Sequence, residues 1–404
     1  MSNTIRFAHL ADLHLGAWRE KILTELNFQT FKQAIDKIIN QQVDFVLFAG
    51  DIFNTPMPSL EIVEKVTKEL MRLKHNEIPL YVIGGSHDYS PLGKSFIQLL
   101  ETAGVFIDVA KWETIDKGQI NLILTKDPKT KTILGGVLGK KKGLDKNIYS
   151  NLNALEIPKD ELSIFMFHCT LNDFKPDFMK TVDVEAKTTY LPKGFKYYAG
   201  GHIHTHMQGE YAGEILTYPG PLFPNNFREL KLETSSFNLC EYNKETKKIN
   251  IERIFIQTYD KVHLKIESDK LNPLELQEKI NKVVDNSEIE KKIVLLEISG
   301  IVEGKISDIK IQNVVSNCYS KGALQVLKNT YKLTSSLVDK SKIDITGKNN
   351  IEETFLKQEL FENQEQYNIL KTLLSLDLSK QEEEKVSDYE KRLSETVEKV
   401  LKIN

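Results

Sequence analysis

At 404 residues, 40% hydrophobic and 27% charged, the chain has the balance of a globular protein long enough for two or three domains. Its 54 Lys and Arg against 57 Asp and Glu leave a net charge of −3, which argues against a strongly basic nucleic-acid coat. A metal-centred enzyme is not excluded, because bound cations add local positive charge that this count omits. Three cysteines, Cys169, Cys240 and Cys318, exclude a disulfide framework and suit a reducing interior. Met1 to Asn3 leads directly into the first apolar run, and no run reaches membrane-spanning length, so the expectation is a cytoplasmic protein without a signal peptide.

Taken in chain order, the run from Ile5 to Leu10 predicts a buried strand, as does the run from Val43 to Phe48. Between them, Phe31, Ala34, Ile35, Ile38 and Ile39 recur at helical spacing. Leu60, Val63, Val66, Leu70 and Leu73 form a second helical stripe, and Leu80 to Ile83 a third strand. This strand-helix alternation predicts right-handed crossovers and a largely parallel first sheet. From about Val105 to Thr258 the runs are shorter and β-rich, as for a second sheet packed on the first; Ile164 to Phe167 is one of them.

Near Tyr259 the pattern changes to a small βαβαβ unit. Its strands are Val262 to Ile266, Ile293 to Ile298 and Leu324 to Leu327. One helix is marked by Leu274, Leu276, Ile280 and Val283, the other by Ile306, Ile309, Ile311 and Val314. From about Ile351 the chain reads as charged helix with one apolar stripe, Val386, Tyr389, Leu393, Val397 and Leu401. The expected division is 1–258, 259–345 and 346–404.

Each strand of the first 210 residues that ends in a polar cluster ends in Asp or His: Asp12 and His14, Asp51, Gly85-Ser86-His87-Asp88, His168, then His202 and His204. In layered α/β folds, sites form where strands end. Five such segments point to one shared metal site. In extended backbone, residues i and i+2 face the same way, so Asp12 with His14, and His202 with His204, can each reach one cation. Imidazole and carboxylate without thiolate suit Mn, Fe or Zn in a catalytic role. The donors are too many for one ion, and two ions about 3.5–4 Å apart are expected, with Asp51 the carboxylate between them.

These motifs, above all Ala8-His9-Leu10-Ala11-Asp12-Leu13-His14-Leu15-Gly16 and Phe48-Ala49-Gly50-Asp51-Ile52-Phe53, resemble the calcineurin-like metallophosphoesterase superfamily. They are most similar to its meiotic-recombination-eleven/SbcD branch, the nuclease subunit of a DNA double-strand-break repair complex. The resemblance covers roughly the first 230 residues by motif and the remainder by order of parts. It implies an α/β fold, a two-sheet sandwich flanked by helices, with a small α/β capping domain and a helical tail. It also implies two Mn ions. Asp12, His14 and His204 would hold the first, His168 and His202 the second, and Asp51 would bridge. His87 would assist the leaving group and Asp88 would support its imidazole. The implied partners are DNA, an ABC-type coiled-coil ATPase bound by the tail, and a second copy of the chain docked through helices near Leu60 to Leu73.

Two positions depart from the family pattern. Ser86 stands where the family turn carries an Asn whose carbonyl oxygen binds the second ion, which puts direct coordination there in doubt. Asn54 stands where a His often lies near DNA.

Other residues have simpler readings. His9 reads as a hydrogen-bonded core residue, and His75, His206 and His263 as structural or solvated ones. Tyr218-Pro219-Gly220-Pro221 reads as a turn. The Lys126, Lys129, Lys131 and Lys140 to Lys142 cluster leaves phosphate contact and a solvated loop equally open. The motifs alone also leave open a phosphoesterase of small substrates, and Ser86 a DNA-end scaffold with a weakened site. The capping unit and helical tail favour the nuclease reading.

Overall fold

The computed structural model describes residues 3–337 apart from 91–94, 116–117, 141–145, 154, 177–178, 180–185 and 233, together with 392 and 394. The apolar stripe Val386, Tyr389, Leu393, Val397 and Leu401 therefore lies outside the described residues.

The first half alternates as the periodicity predicts: β1 (Thr4–Leu10), α1 (Lys21–Asn40), β2 (Phe45–Ala49), α2 (Leu60–His75), β3 (Leu80–Ile83), α3 (Phe96–Thr102) and β4 (Ile107–Asp108). A hairpin of β5 (Trp112–Thr114) and β6 (Ile120–Leu122) follows, then β7 (Thr125–Lys126), β8 (Ile133–Val137), α4 (Lys146–Ser150) and β9 (Ser163–His168). Next come β10 (Tyr197–Gly201), β11 (Met207–Tyr211), β12 (Glu214–Tyr218), α5 (Phe227–Leu232), β13 (Ser236–Asn243) and β14 (Ile249–Phe255). Among the described residues, no helix is long and apolar enough to cross a membrane.

Two six-stranded sheets result, ordered β14-β13-β1-β2-β3-β4 and β11-β12-β10-β9-β8-β7. In the first, β1 to β4 are parallel, whereas β13 runs antiparallel to β1 and to β14. The expectation of one second sheet from 105 to 258 is thus corrected. β13 and β14 extend the first sheet beyond β1, a pairing across more than 220 residues that local pattern does not encode.

Strand alternation places the core on both faces of the first sheet. Ala8 and Leu10 of β1 pack with Phe31, Ala34 and Ile35 of α1 and Val66 and Leu70 of α2. Ile5 and Phe7 face the second sheet, against Ile164, Met166, Tyr197 and Ala199. α2 begins at Ser59, whose hydroxyl accepts the Ile62 N–H, and ends with Arg72, Lys74 and His75, which complement its dipole. Parallel strands joined by such crossovers bring the C-terminal ends of β1, β2 and β3 to one edge, and β9 and β10 end there from the second sheet.

The later elements are β15 (Asp260–Glu267), α6 (Pro273–Asp285), β16 (Lys292–Val302), α7 (Ile311–Ser320), β17 (Gln325–Asn329) and β18 (Leu333–Ser335). Ile306 and Ile309 precede α7 instead of lying in it: residues 306–308 form a 3₁₀ turn and the helix starts at Ile311. The chain forms two compact units. One comprises Met1–Ile266, Lys279–Ile298 and Ile311–Tyr331; there β17 runs parallel to Ile293–Glu297, and Ile293 and Leu295 pack with Leu23, Leu26 and Phe223. The other comprises, among the described residues, Glu267–Glu278, Ser299–Lys310 and 332–337, where β18 pairs in parallel with Gly300–Val302.

Candidate metal centre

Parallel pairing of β1 with β2 continues past the strand ends. Asp12 N–H donates to Gly50 O (3.1 Å), His14 N–H to Asp51 O (2.9 Å) and Leu15 N–H to Ile52 O (3.0 Å). Within this ladder Asp12, His14 and Asp51 adopt φ of 53°, 42° and 53°, and His202 after β10 adopts 87°. The expected extended i, i+2 geometry is therefore wrong for Asp12 and His14. Left-handed backbone, costing about 1–2 kcal/mol per residue, turns these side chains inward, and the cross-strand bonds hold it in place. Gly50, at φ +91°, is required by packing as well, since a Cβ there would lie 2.1 Å from His168 Nδ1. At Gly201 a Cβ would lie 1.9 Å from the Ala49 carbonyl oxygen, so the two sheets meet backbone to backbone beneath the site.

Seven side chains converge there in overlapping groups: Asp12, His14 and His204; His14, Asp51 and His87; Asp51, His168 and His202. His14 Nε2 lies 3.0 Å from His204 Nε2 and 3.6 Å from Asp51 Oδ2. His168 Nε2 lies 3.2 Å from Asp51 Oδ2 and 4.0 Å from Asp12 Oδ1, and His204 Nε2 lies 3.8 Å from Asp12 Oδ1. His202 and His204 fall in different groups, which departs from the i, i+2 reading that both reach one cation and matches the division that the family resemblance implies. The chain bends at His202, which adopts positive φ, so the two side chains do not share the face that extended backbone would give them.

Three imidazoles are anchored through Nδ1, which leaves Nε2 for the centre. His168 Nδ1 bonds the Ala49 carbonyl (2.8 Å), His87 Nδ1 the Asn54 carbonyl (2.8 Å) and His204 Nδ1 the Glu229 carboxylate (3.0 Å). Asp51 Oδ1 accepts the His87 backbone N–H (2.7 Å), and both Asp12 oxygens accept the His202 N–H at 3.0 Å.

The expected support of His87 by Asp88 is corrected. Asp88 accepts the N–H groups of Ile52 (3.1 Å), Phe53 (3.0 Å) and Gly85 (3.0 Å), tying the β2 and β3 loops together, and it is the Asn54 carbonyl that holds the imidazole. Burial, then the charge of Asp51, pushes Asp88 up to about 7 against the pull of those three donors. Ser86 is buried with its hydroxyl 3.5 Å from Asp51 Oδ2, at the outer limit of a hydrogen bond.

Burial favours neutral forms, yet the cluster holds charge. Burial would raise Asp51, but attraction to His168, His14 and His87 brings it below the usual carboxylate range. Burial would lower His168, but Asp51 and then Asp12 raise it to about 10. His204 rises to about 9 against burial, through Glu229 and then Asp12. His14 is lowered by burial to about 3 and stays neutral at pH 7. Such a site attracts positive charge, and protons and metal ions compete for it.

The donor set fits metal ions. Two nitrogens about 2.1 Å from one cation at right angles lie about 3.0 Å apart, which is the spacing of His14 and His204. His168 Nε2 is fully buried with no aligned hydrogen-bond partner, aimed at the cluster. Imidazoles and carboxylates without thiolate are the donors of a hydrolytic centre.

Glu229 escaped the sequence reading. The signal for it was the spacing Asn226-x-x-Glu229, a capping box: Asn226 Oδ1 accepts the Glu229 N–H (3.0 Å) at the start of α5. Beside it, Asn226, Arg228, Glu229, His202, His204 and Thr205 line a cleft of 280 Å³. The other histidines are peripheral. His9 is buried and bonds the Tyr197 hydroxyl (2.9 Å), His263 bonds Glu297 (2.7 Å), and His75 ends α2. Lys126 and Lys129 pair with Glu161 and Asp44, Lys131 bonds the Pro128 carbonyl, and Lys140 lies over Tyr89; Lys141 and Lys142 lie outside the described residues.

Comparison with known proteins agrees with this geometry. The family model of the calcineurin-like phosphoesterases matches residues 5–206, a span that contains every proposed ligand. A DNA double-strand break repair protein Mre11 of Methanococcus maripaludis is 26% identical over 92% of this chain and 96% of its own. The Mre11 of Sulfurisphaera tokodaii is 30% identical over 70% and 69%, and that of Methanocaldococcus jannaschii 28% over 69% and 72%. The chain belongs to the calcineurin-like phosphoesterases, hydrolases that work with divalent metal ions, and within them to the Mre11 branch.

Proposed function

We propose that this chain is a DNA nuclease of double-strand-break repair that works with two Mn ions. The observation that carries the reading is a pair of ligand groups flanking Asp51, with a tethered imidazole, His87, at the same centre. Asp12, His14 and His204 would hold one cation and His168 and His202 the other. Asp51 would be the carboxylate shared by both, and the Ser86 hydroxyl would contribute directly or through water. The bound cations supply Lewis-acid charge to a phosphodiester and to the attacking water.

The protein's own groups do the rest. Asp51 is fixed by the His87 backbone N–H, which sets the place of the shared carboxylate. The Asn54 carbonyl accepts a hydrogen bond from His87 Nδ1–H, which aims Nε2 at the centre; in its imidazolium form the ring would give the Nε2 proton to the departing oxygen and keep Nδ1–H on Asn54. The apolar floor of Ala49, Ile83 and Met166 keeps water from reaching the ligands from behind.

Residues 1–258 form the nuclease domain on this reading, 259–345 a capping domain over the DNA, and 346–404 the docking segment for an ABC-type coiled-coil ATPase. The active form is a homodimer in the cytoplasm. The relatives' role in DNA double-strand break repair supports the choice of DNA over a small phosphoester.

Purified protein incubated with linear DNA in Mn or Mg, with and without chelator, tests the reading. Cleavage in Mn that chelator abolishes is expected. Hydrolysis of a small phosphodiester while DNA stays intact would replace the substrate class.

A further inference from the structure

We infer that Glu229 is a positioning residue that orients His204 for the cation held with Asp12 and His14; the inference rests on the two-metal reading above. His204 lies nearer the surface than four of the other proposed ligands, at 22% exposure against 2% or less for Asp12, His14, Asp51 and His168. A ring at the rim has neighbours on fewer sides, so packing alone does not fix its χ2. The Glu229 carboxylate supplies the constraint with Oε1 3.0 Å from Nδ1. His168 and His87, deeper in the centre or tied to loops, are oriented by backbone carbonyls, and His204 differs in being tied to a charged side chain.

Glu229 is itself held at several points. Oε2 accepts the Asn225 N–H (2.7 Å), Oε1 accepts from the Asn226 side-chain amide, and its own N–H donates to Asn226 Oδ1 (3.0 Å). Metal-bound imidazoles commonly donate their second N–H to such a carboxylate, which fixes the tautomer and strengthens the donor nitrogen. Here Glu229, in the first turn of α5, is that partner and ties down a ligand 25 residues away in sequence.

Mn binding to the full chain, followed by calorimetry and by Mn paramagnetic resonance, tests this apart from nuclease activity. Glu229→Ala should weaken the Asp12–His14–His204 site about 10–100-fold while the second site keeps its affinity. Glu229→Gln, which keeps an acceptor but no charge, should fall between Ala and the parent. Asn226→Ala removes the cap and leaves the carboxylate, and should cost much less affinity than Glu229→Ala. A folded Glu229→Ala protein within twofold of the parent, or an Asn226→Ala protein that loses as much as Glu229→Ala, would overturn the inference and leave the metal centre standing. A parent protein that takes up no Mn would overturn the metal-centre reading and this inference with it.

Discussion

Replacing His87 by Ala removes an imidazole and keeps the backbone N–H that holds Asp51 Oδ1 at 2.7 Å, so the shared carboxylate stays in place. Two interactions are lost. The edge-to-face contact with His14, centroids 4.7 Å apart, is worth about 0.5–1.5 kcal/mol, and the bond to the Asn54 carbonyl about 0.5–1.5 kcal/mol. The variant should therefore be destabilised by about 1–3 kcal/mol and remain folded. If His87 donates the proton to the leaving oxygen, turnover should fall about 10²–10⁴-fold, or about 2.7–5.4 kcal/mol of barrier. Both Mn equivalents should be retained. Single-turnover DNA cleavage with calorimetric Mn titration of the same sample reads the two effects separately. The geometry also groups His87 with His14 and Asp51. Loss of one Mn equivalent would therefore show that the imidazole coordinates, and would refute the acid assignment.

Further outcomes follow from the same geometry. Ser86→Asn carries a carbonyl oxygen farther than the Ser hydroxyl reaches and should move the Mn dependence of cleavage to lower concentration; an unchanged midpoint would show that the loop has adapted to Ser. Gly50→Ala puts a Cβ on His168 at a positive φ and should destabilise the fold by more than the roughly 1–2 kcal/mol of backbone strain alone, read by chemical denaturation; an unaltered midpoint with both ions bound would contradict the packing account. His168 and His204 of the metal-free protein titrate above the ordinary 6.5, at about 10 and about 9. The stability they contribute is complete below pH 6.5 and lost as pH rises through about 9 to 10. Mn uptake near neutral pH should accordingly release protons and tighten as pH rises, measurable by calorimetry in buffers of different ionisation enthalpy; a pH-independent affinity would contradict the charge account.

The strands that carry the ligands were legible because each run stops at a polar residue, with Gly at the stop after β2, β3 and β10, a signal carried by local sequence alone. Asp12, His14, Asp51, His87, His168, His202 and His204 all converge. The means of convergence was not legible. Positive φ at Asp12, His14 and Asp51 is imposed by the ladder between the β1 and β2 loops, and residue type does not announce it. Backbone acceptors such as the Ala49 and Asn54 carbonyls are blind to side-chain identity, so the orientation of His168 and His87 left no trace in composition. Asp88 adjoins His87 in sequence, but its two oxygens are committed to three backbone donors. β13 escaped assignment to the first sheet because its partner β1 lies at the other end of the domain. Glu229 was legible as a helix cap and not as a partner of His204, since only the fold brings the two together.

Anomalous scattering at the Mn absorption edge, from crystals of the protein soaked in Mn and of an Asp51→Asn variant treated alike, tests the shared centre most directly. Two peaks flanking the Asp51 carboxylate are expected in the parent, one against Asp12, His14 and His204 and one against His168 and His202. Occupancy should fall at both when the bridging charge is removed. A single peak in the parent, or two fully occupied ions in Asp51→Asn, would contradict the shared centre.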